Sequence, residues 1–158
     1  MSPRDSAPTR AAILDAASRL LEDSGPEAVT LRAVGEAAGV SRSAPYRHYV
    51  DKAALMRALA EWTLRQIAGW IRHGAERHQG AWQRLRAGCR AYIDYAVEHP
   101  HHYQLVFGDT PIAEPDPRLE EAADDAMAAV GELVVQAQDS GLLRPGPTRE
   151  IATVVWVL

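Results

Sequence analysis

The sequence predicts an all-α fold, and three observations carry that expectation. Alanine is abundant, β-branched residues are sparse and only one Phe is present, a composition that favours helix. Apolar residues recur at helical spacing over long segments, and glycine or proline closes each of them. In TLRAVGEAAGVSRSAPYRHYVDK, from Thr30 to Lys52, two short periodic segments are separated by about three turn residues, the pattern of a helix-turn-helix.

Residues 1–8 are polar, with Pro3 and Pro8, and read as a mobile arm. Thr9 is expected to cap a first helix reaching Ser24, with Ile13, Leu14, Ala17, Leu20 and Leu21 on one face. Gly25-Pro26 ends it. Thr30 suits the N-cap of the second helix, where a hydroxyl accepts from an otherwise unpaired amide. Gly39 suits the left-handed residue that stops that helix. Ser41 offers a second cap, but Pro45 complicates it. Counted from Ser41, Pro45 is the fourth helical residue, where a backbone amide is required and proline has none. The third helix therefore either starts late, with Ser43 as cap and Pro45 in its first turn, or opens with a distorted turn. This segment carries Arg42, Ser43, Tyr46, Arg47 and His48, with Lys52 just beyond. Such side chains reach phosphates and base edges, so it reads as a DNA recognition helix.

Lys52 opens a long helix running to His73 or beyond, with Leu55, Leu59, Trp62, Ile67 and Ile71 at apolar positions and Gly69 and Gly74 weakening its second half. A further helix covers Ala81–Glu98. Pro100 stops it and opens a short segment, and the proline-rich loop DTPIAEPDPR follows. Asp116 is expected to cap the next helix, with Pro117 at its first position and Glu120 and Glu121 complementing the dipole. That helix stops at Gly141. Thr148 is the expected cap of the last segment, IATVVWVL, which breaks off inside an apolar run. The chain is therefore expected to be a shortened version of a longer one.

TRAAILDAASRLLEDSGPEAV, TLRAVGEAAGVS and YRHYVDKAALMRAL together resemble the N-terminal domain of TetR-type transcriptional regulators, from Thr9 to Ala60. YIDYAVEHPHHYQLVFGD is similar to the C-terminal domain of one TetR subgroup with an HPxxYxLxFG-like stretch. The resemblance implies residues 1–51 as a helix-turn-helix DNA-binding domain and residues 52–158 as a helical ligand-sensing and dimerisation domain, incomplete at its C-terminus. It implies a ligand-responsive repressor that binds a palindromic double-stranded DNA operator as a homodimer. Thr30, Tyr46 and Lys52 match family positions that face the DNA backbone. Arg42, Ser43, Pro45 and His48 are the candidates for base edges, and Arg47 suits either role. For the effector, the family places a cavity between the long helices. Trp62, Ile67, Trp70, Tyr92, Tyr95, Tyr103, Phe107 and Met127 are the candidates to line it, in a mostly apolar pocket.

Charge speaks more quietly. The chain holds 17 Lys plus Arg against 21 Asp plus Glu, net −4. Residues 1–52 balance seven bases (Arg4, Arg10, Arg19, Arg32, Arg42, Arg47, Lys52) against seven acids (Asp5, Asp15, Glu22, Asp23, Glu27, Glu36, Asp51). A nucleic-acid domain usually shows a basic excess. The competing reading is a helical adaptor whose degenerate head no longer reads DNA.

Other classes find little support. No run reaches membrane-spanning length, and MSPRDSAPTR has no apolar core for a secretory signal. The single Cys89 precludes an internal disulfide and fits a reducing cytoplasm. It sits on an apolar face with no activating neighbour, and no nucleophile-base set or phosphate loop appears, so no enzyme is expected. His99, His101 and His102 lack the i, i+4 spacing of a helical metal pair, so no metal or cofactor is expected and helix-end polar roles are assigned to them.

Overall fold

A computed structural model describes residues 6–108 and 116–156, which form eight helices and no strand. These are α1 (Ser6–Ser24), α2 (Leu31–Ala37), α3 (Ala44–His48), α4 (Lys52–Glu76), α5 (Ala81–Glu98), α6 (Pro100–Phe107), α7 (Pro117–Asp139) and α8 (Thr148–Trp156). The arm expected over residues 1–8 and the loop expected over 109–118 fall mostly outside the described residues, as do Val157 and Leu158.

Chain contacts divide the protein into two compact units. Met1–Glu61 with His99–Asp116 forms the first, and Trp62–Glu98 with Pro117–Leu158 the second. The division falls inside α4 rather than at its start, and α6 returns to the first unit.

In the first unit α1 is the central support, packing against α2, α3 and α6. Ile13, Ala16, Ala17 and Leu21 are fully buried on its inner face, together with Val29 and Val34 of the following segment and Leu55 and Leu59 of α4. Each large aliphatic side chain buried in this way contributes about 1.5–3 kcal/mol. The expected punctuation is present. Gly25 (φ +76) ends α1 with its amide on the Leu21 carbonyl at 2.9 Å, and Gly39 (φ +66) ends α2. Asp51 caps α4, its Oδ1 accepting from the Ala54 amide at 2.7 Å.

In the second unit α7 packs against α5 and α8. Its buried stripe, Ala122, Ala126, Ala129, Val130, Leu133, Val134 and Ala137, is mostly small residues, so neighbouring helices come close. At Gly88 of α5 a β-carbon would lie 2.3 Å from Leu133 Cδ1, so the Leu133 side chain occupies the space that glycine leaves between α5 and α7. Polar clamps flank this core. Arg72 of α4 donates to Asp125 Oδ1 (2.8 Å) and Oδ2 (3.2 Å) and to Glu132 Oε1 (3.2 Å). These bonds hold the Asp125 carboxyl below its ordinary range. Arg84 of α5 donates to Gln136 Oε1 at 2.8 Å. Thr148 does not cap α8 as expected. The Pro147 carbonyl starts that helix, accepting from Glu150 and Ile151, while the Thr148 hydroxyl donates to Gln138 Oε1 at 3.3 Å.

Candidate functional site

The candidate DNA-reading surface is built on a buried proline. Thr30 lies in extended backbone, and its Oγ1 accepts from the Ala33 amide at 3.1 Å, which starts α2 as expected. After Gly39 the chain makes a turn in which Ala44 N donates to Ser41 O at 2.9 Å, and α3 begins only at Ala44. The late start is thus the alternative found. Ser43 occupies the N-cap position without a side-chain cap bond, and Ser41 Oγ lies 3.4 Å from Ser43 Oγ instead of capping α3. Pro45 loses nothing here, because the second residue of a helix has no partner for its amide.

Pro45 itself corrects the sequence reading. It is fully buried rather than presented to a base edge. Its ring lies against α2, where a β-carbon on Gly35 would sit 2.9 Å from Pro45 Cγ. Ala44 is buried beside it. With those two residues inward, Arg42, Ser43, Tyr46 (57% exposed) and Arg47 stand in solvent, and His48 is half-buried. Val50, 82% exposed just after the helix, was not singled out from the sequence. An apolar group there is of the kind that meets a thymine methyl.

Two cations are partly engaged in supporting this surface. Lys52 Nζ donates to the Pro26 carbonyl at 2.8 Å and lies 3.9 Å from Glu27, tying the start of α4 to the α1–α2 turn. One bond leaves an ammonium two further donors. The Arg10 guanidinium lies 5.7 Å from the centroid of the Tyr49 ring, within cation–π range. Tyr49 is 4% exposed, its hydroxyl lacks a hydrogen-bond partner, and burial pushes its phenol up.

The three histidines at the head of α6 are brought to the end of α1. His102 is buried, with Nδ1 2.7 Å from Glu22 Oε2 and Nε2 3.0 Å from Ser18 Oγ. His99 Nδ1 is 3.4 Å from the same Glu22 oxygen, and His101 Nδ1 donates to the Glu22 carbonyl at 3.0 Å. Burial lowers the His102 pKa, against the opposing pull of Glu22.

The residues expected to line an effector pocket mostly serve other contacts. In the second unit Ile67 is fully buried in the core. Tyr92 stacks on Trp156 with centroids 5.4 Å apart, and its hydroxyl donates to the Trp156 carbonyl at 3.1 Å. Tyr95 meets Trp70 edge-on at 5.3 Å. Trp62 and Met127 are half-buried. Tyr103 and Phe107 belong to the first unit, their ring centroids 4.6 Å apart. The second unit does hold a groove of about 790 Å³ between α4 and α5. Of the expected residues, Trp70 lines it, joined by Trp82, Arg77, Arg86, Arg90 and Asp94. Its wall is apolar over most of its surface and carries, besides these cations, the carboxylates of Asp94, paired with Arg90 at 2.7 Å, and Glu98. Gly74 explains the close approach there, since a β-carbon would lie 2.8 Å from Ala91 Cβ. Cys89 is half-buried, and burial pushes its thiol up, away from nucleophilic character.

Comparison with known proteins agrees with this architecture. Residues 13–59 match the model of bacterial regulatory proteins of the tetR family, and residues 85–158 match a tetracyclin repressor-like C-terminal domain. The HTH-type transcriptional activator FasR of Mycolicibacterium smegmatis is 29% identical over 142 residues, covering 89% of this chain and 63% of FasR. The nucleoid occlusion factor SlmA of Alteromonas mediterranea is 27% identical over 107 residues, 68% of this chain and 55% of SlmA. The chain thus spans less than two thirds of the length of these curated relatives. Among solved structures, a Rhodococcus sp. RHA1 protein of unknown function superposes with a TM-score of 0.82 at 29% identity, over 99% of this chain and 81% of that one. With both halves of one family's architecture matched in order, the chain belongs to the tetR family of bacterial regulatory proteins.

Proposed function

We propose that this protein is a ligand-responsive, DNA-binding transcriptional regulator that reads a near-palindromic operator as a homodimer in the cytoplasm. The observation that carries the reading is the exposure pattern of α3 and of the turn that leads into it. Ala44 and Pro45 anchor it inward, while Arg42, Ser43, Tyr46 and Arg47 face solvent together. A helix one turn long can present such a set only when its other side is fixed by neighbours, which is what a recognition helix requires. Arg42, Ser43 and His48 are assigned to base edges, Thr30, Tyr46 and Lys52 to phosphates, and Arg47 to either.

The effector is placed in the second unit, in the α4–α5 groove. Two indole rings and the guanidinium groups of Arg77 and Arg86, with Arg90 already paired to Asp94, suit a small molecule with an apolar or aromatic body and one anionic group. Such a ligand acts by preferring one of two conformations, and its leverage equals its difference in affinity for them. Because α4 runs from the first unit into the second, it is the element assigned to carry the response. Whether repression or activation results depends on where the operator lies. FasR is an activator by name.

Electrophoretic mobility with the DNA upstream of the protein's own gene tests the reading. Retardation that survives excess random DNA supports it. Equal competition by random and upstream DNA, or no retardation in low salt, would favour the adaptor reading instead.

A further inference from the structure

Between the last turn of α1 and the start of α6, three ligand-type atoms converge. One carboxylate oxygen of Glu22 and one ring nitrogen each of His99 and His102 all lie within 4.8 Å of one another. We propose that Glu22, His99 and His102 form a binding site for a divalent transition-metal ion of the zinc class, with two imidazole nitrogens, one carboxylate oxygen and a remaining position for water.

The spacing fits. A tetrahedral zinc with bonds of about 2.0–2.1 Å sets its ligand atoms roughly 3.3–3.4 Å apart. Glu22 Oε2 is already 3.4 Å from His99 Nδ1, and the 2.7 Å separation from His102 Nδ1 must open by only a fraction of an ångström. The outer contacts fit as well. A metal-ligating imidazole usually donates its other N–H to an oxygen, and His102 Nε2 lies 3.0 Å from Ser18 Oγ. Its ring is nearly enclosed, so its orientation is fixed by packing. His99 and Glu22 stay about one-third exposed, with side chains 34% and 31% accessible, which leaves an entry path. His101 is excluded as a ligand through Nδ1, because that nitrogen holds the Glu22 carbonyl. Two imidazoles and one carboxylate favour zinc, cobalt or nickel over magnesium or calcium, which take oxygen ligands.

A plainer account treats Ser18–His102–Glu22 as a chain of hydrogen bonds that pins α6 to α1. That chain does not need His99, although His99 Nδ1 points at the same carboxylate oxygen. His99 is therefore the discriminating residue.

The full chain, stripped by chelator and dialysed, is titrated with Zn²⁺ by calorimetry and with Co²⁺ by visible absorption. We expect one equivalent per chain, a cobalt spectrum of four- or five-coordinate type, and a melting temperature raised by zinc. His99→Ala and Glu22→Gln should each weaken binding at least about 10-fold, and Ser18→Ala by roughly 10–100-fold. Circular dichroism on His99→Ala, whose side chain is partly exposed, confirms that the fold persists. A double His73→Ala, His78→Ala variant on and just after α4 should bind as before. The proposal is overturned by an absence of stoichiometric binding at micromolar metal. It is equally overturned if binding survives both His99→Ala and Glu22→Gln, or is lost with the α4 pair.

Discussion

Replacing Gly35 with alanine should destabilise the protein, although alanine is the better helix former. In an exposed helix interior the change would gain about 1 kcal/mol. Here the new β-carbon would stand 2.9 Å from Pro45 Cγ, well inside the roughly 3.5–4.0 Å at which carbon atoms attract. Pro45 is fully buried and its ring cannot swing away as a long side chain would. Overpacking of this kind costs about 1–3 kcal/mol, so the net effect runs from near zero to about 2 kcal/mol of destabilisation. The same substitution in a Pro45→Ala background meets no ring and should stabilise by about 0.5–1 kcal/mol. A double-mutant cycle isolates the contact, and its coupling energy should be about 1–3 kcal/mol. Urea unfolding of the four proteins, followed by circular dichroism, gives these values if the slopes agree. Gly35→Ala stabilising both backgrounds equally would show that the α2–α3 spacing does not depend on this contact, and the account of how α3 is aimed would fall.

Three further expectations follow from named contacts. Lys52→Ala should lower the slope of log affinity against log salt by about 0.9 on operator and random DNA alike; an unchanged slope in a mobility titration would remove it from the phosphate set. Tyr49→Phe deletes a buried hydroxyl that has no partner, so it should be neutral or stabilising by up to about 1 kcal/mol in urea, and a clear loss would reveal a bond that the structure does not show. Arg72→Met breaks the α4–α7 clamp and leaves Asp125 and Glu132 without their shared cation. Because these groups are partly exposed, the loss should be about 1 kcal/mol or less and should shrink in high salt, which thermal melts at two ionic strengths will show.

Local grammar was the most legible part of this chain. Gly39 and Gly141 end helices with positive φ, Pro100 and Pro117 open them, and Thr30 caps α2, each for reasons contained in a few adjacent residues. The third helix was harder, because five residues give no period from which to read an inner face. Pro45 was therefore offered to DNA when the structure uses it as packing. Partners far apart in sequence left no local mark. Glu22 and His102 are 80 positions apart, and Arg72 and Asp125 are 53 apart. Nor did the histidine spacing hint that α6 would rejoin α1. Several of the aromatic residues expected around a pocket pack on one another instead, as Tyr92 does with Trp156 and Tyr95 with Trp70. Arginines just past the end of α4 and on α5 join Trp70 and Trp82 in lining the groove, at positions where amphipathic pattern alone reads as ordinary solvated surface.

The return of α6 to the first unit has a consequence for how the protein is made. The Glu22 carbonyl near the end of α1 is met by His101, and the Glu22 carboxylate by His102. A ribosome that has released only the first 61 residues has delivered a helix-turn-helix whose opening helix still lacks those partners. At about 5–20 residues per second, the remaining stretch emerges several seconds later. Until then the unit is held by its local contacts, and closing it demands the entropy of a loop of several dozen residues. Completion of the head is thus timed by synthesis of the other unit's first two helices. A fragment cut after α4 would be caught permanently at that halfway point, open at the end of α1.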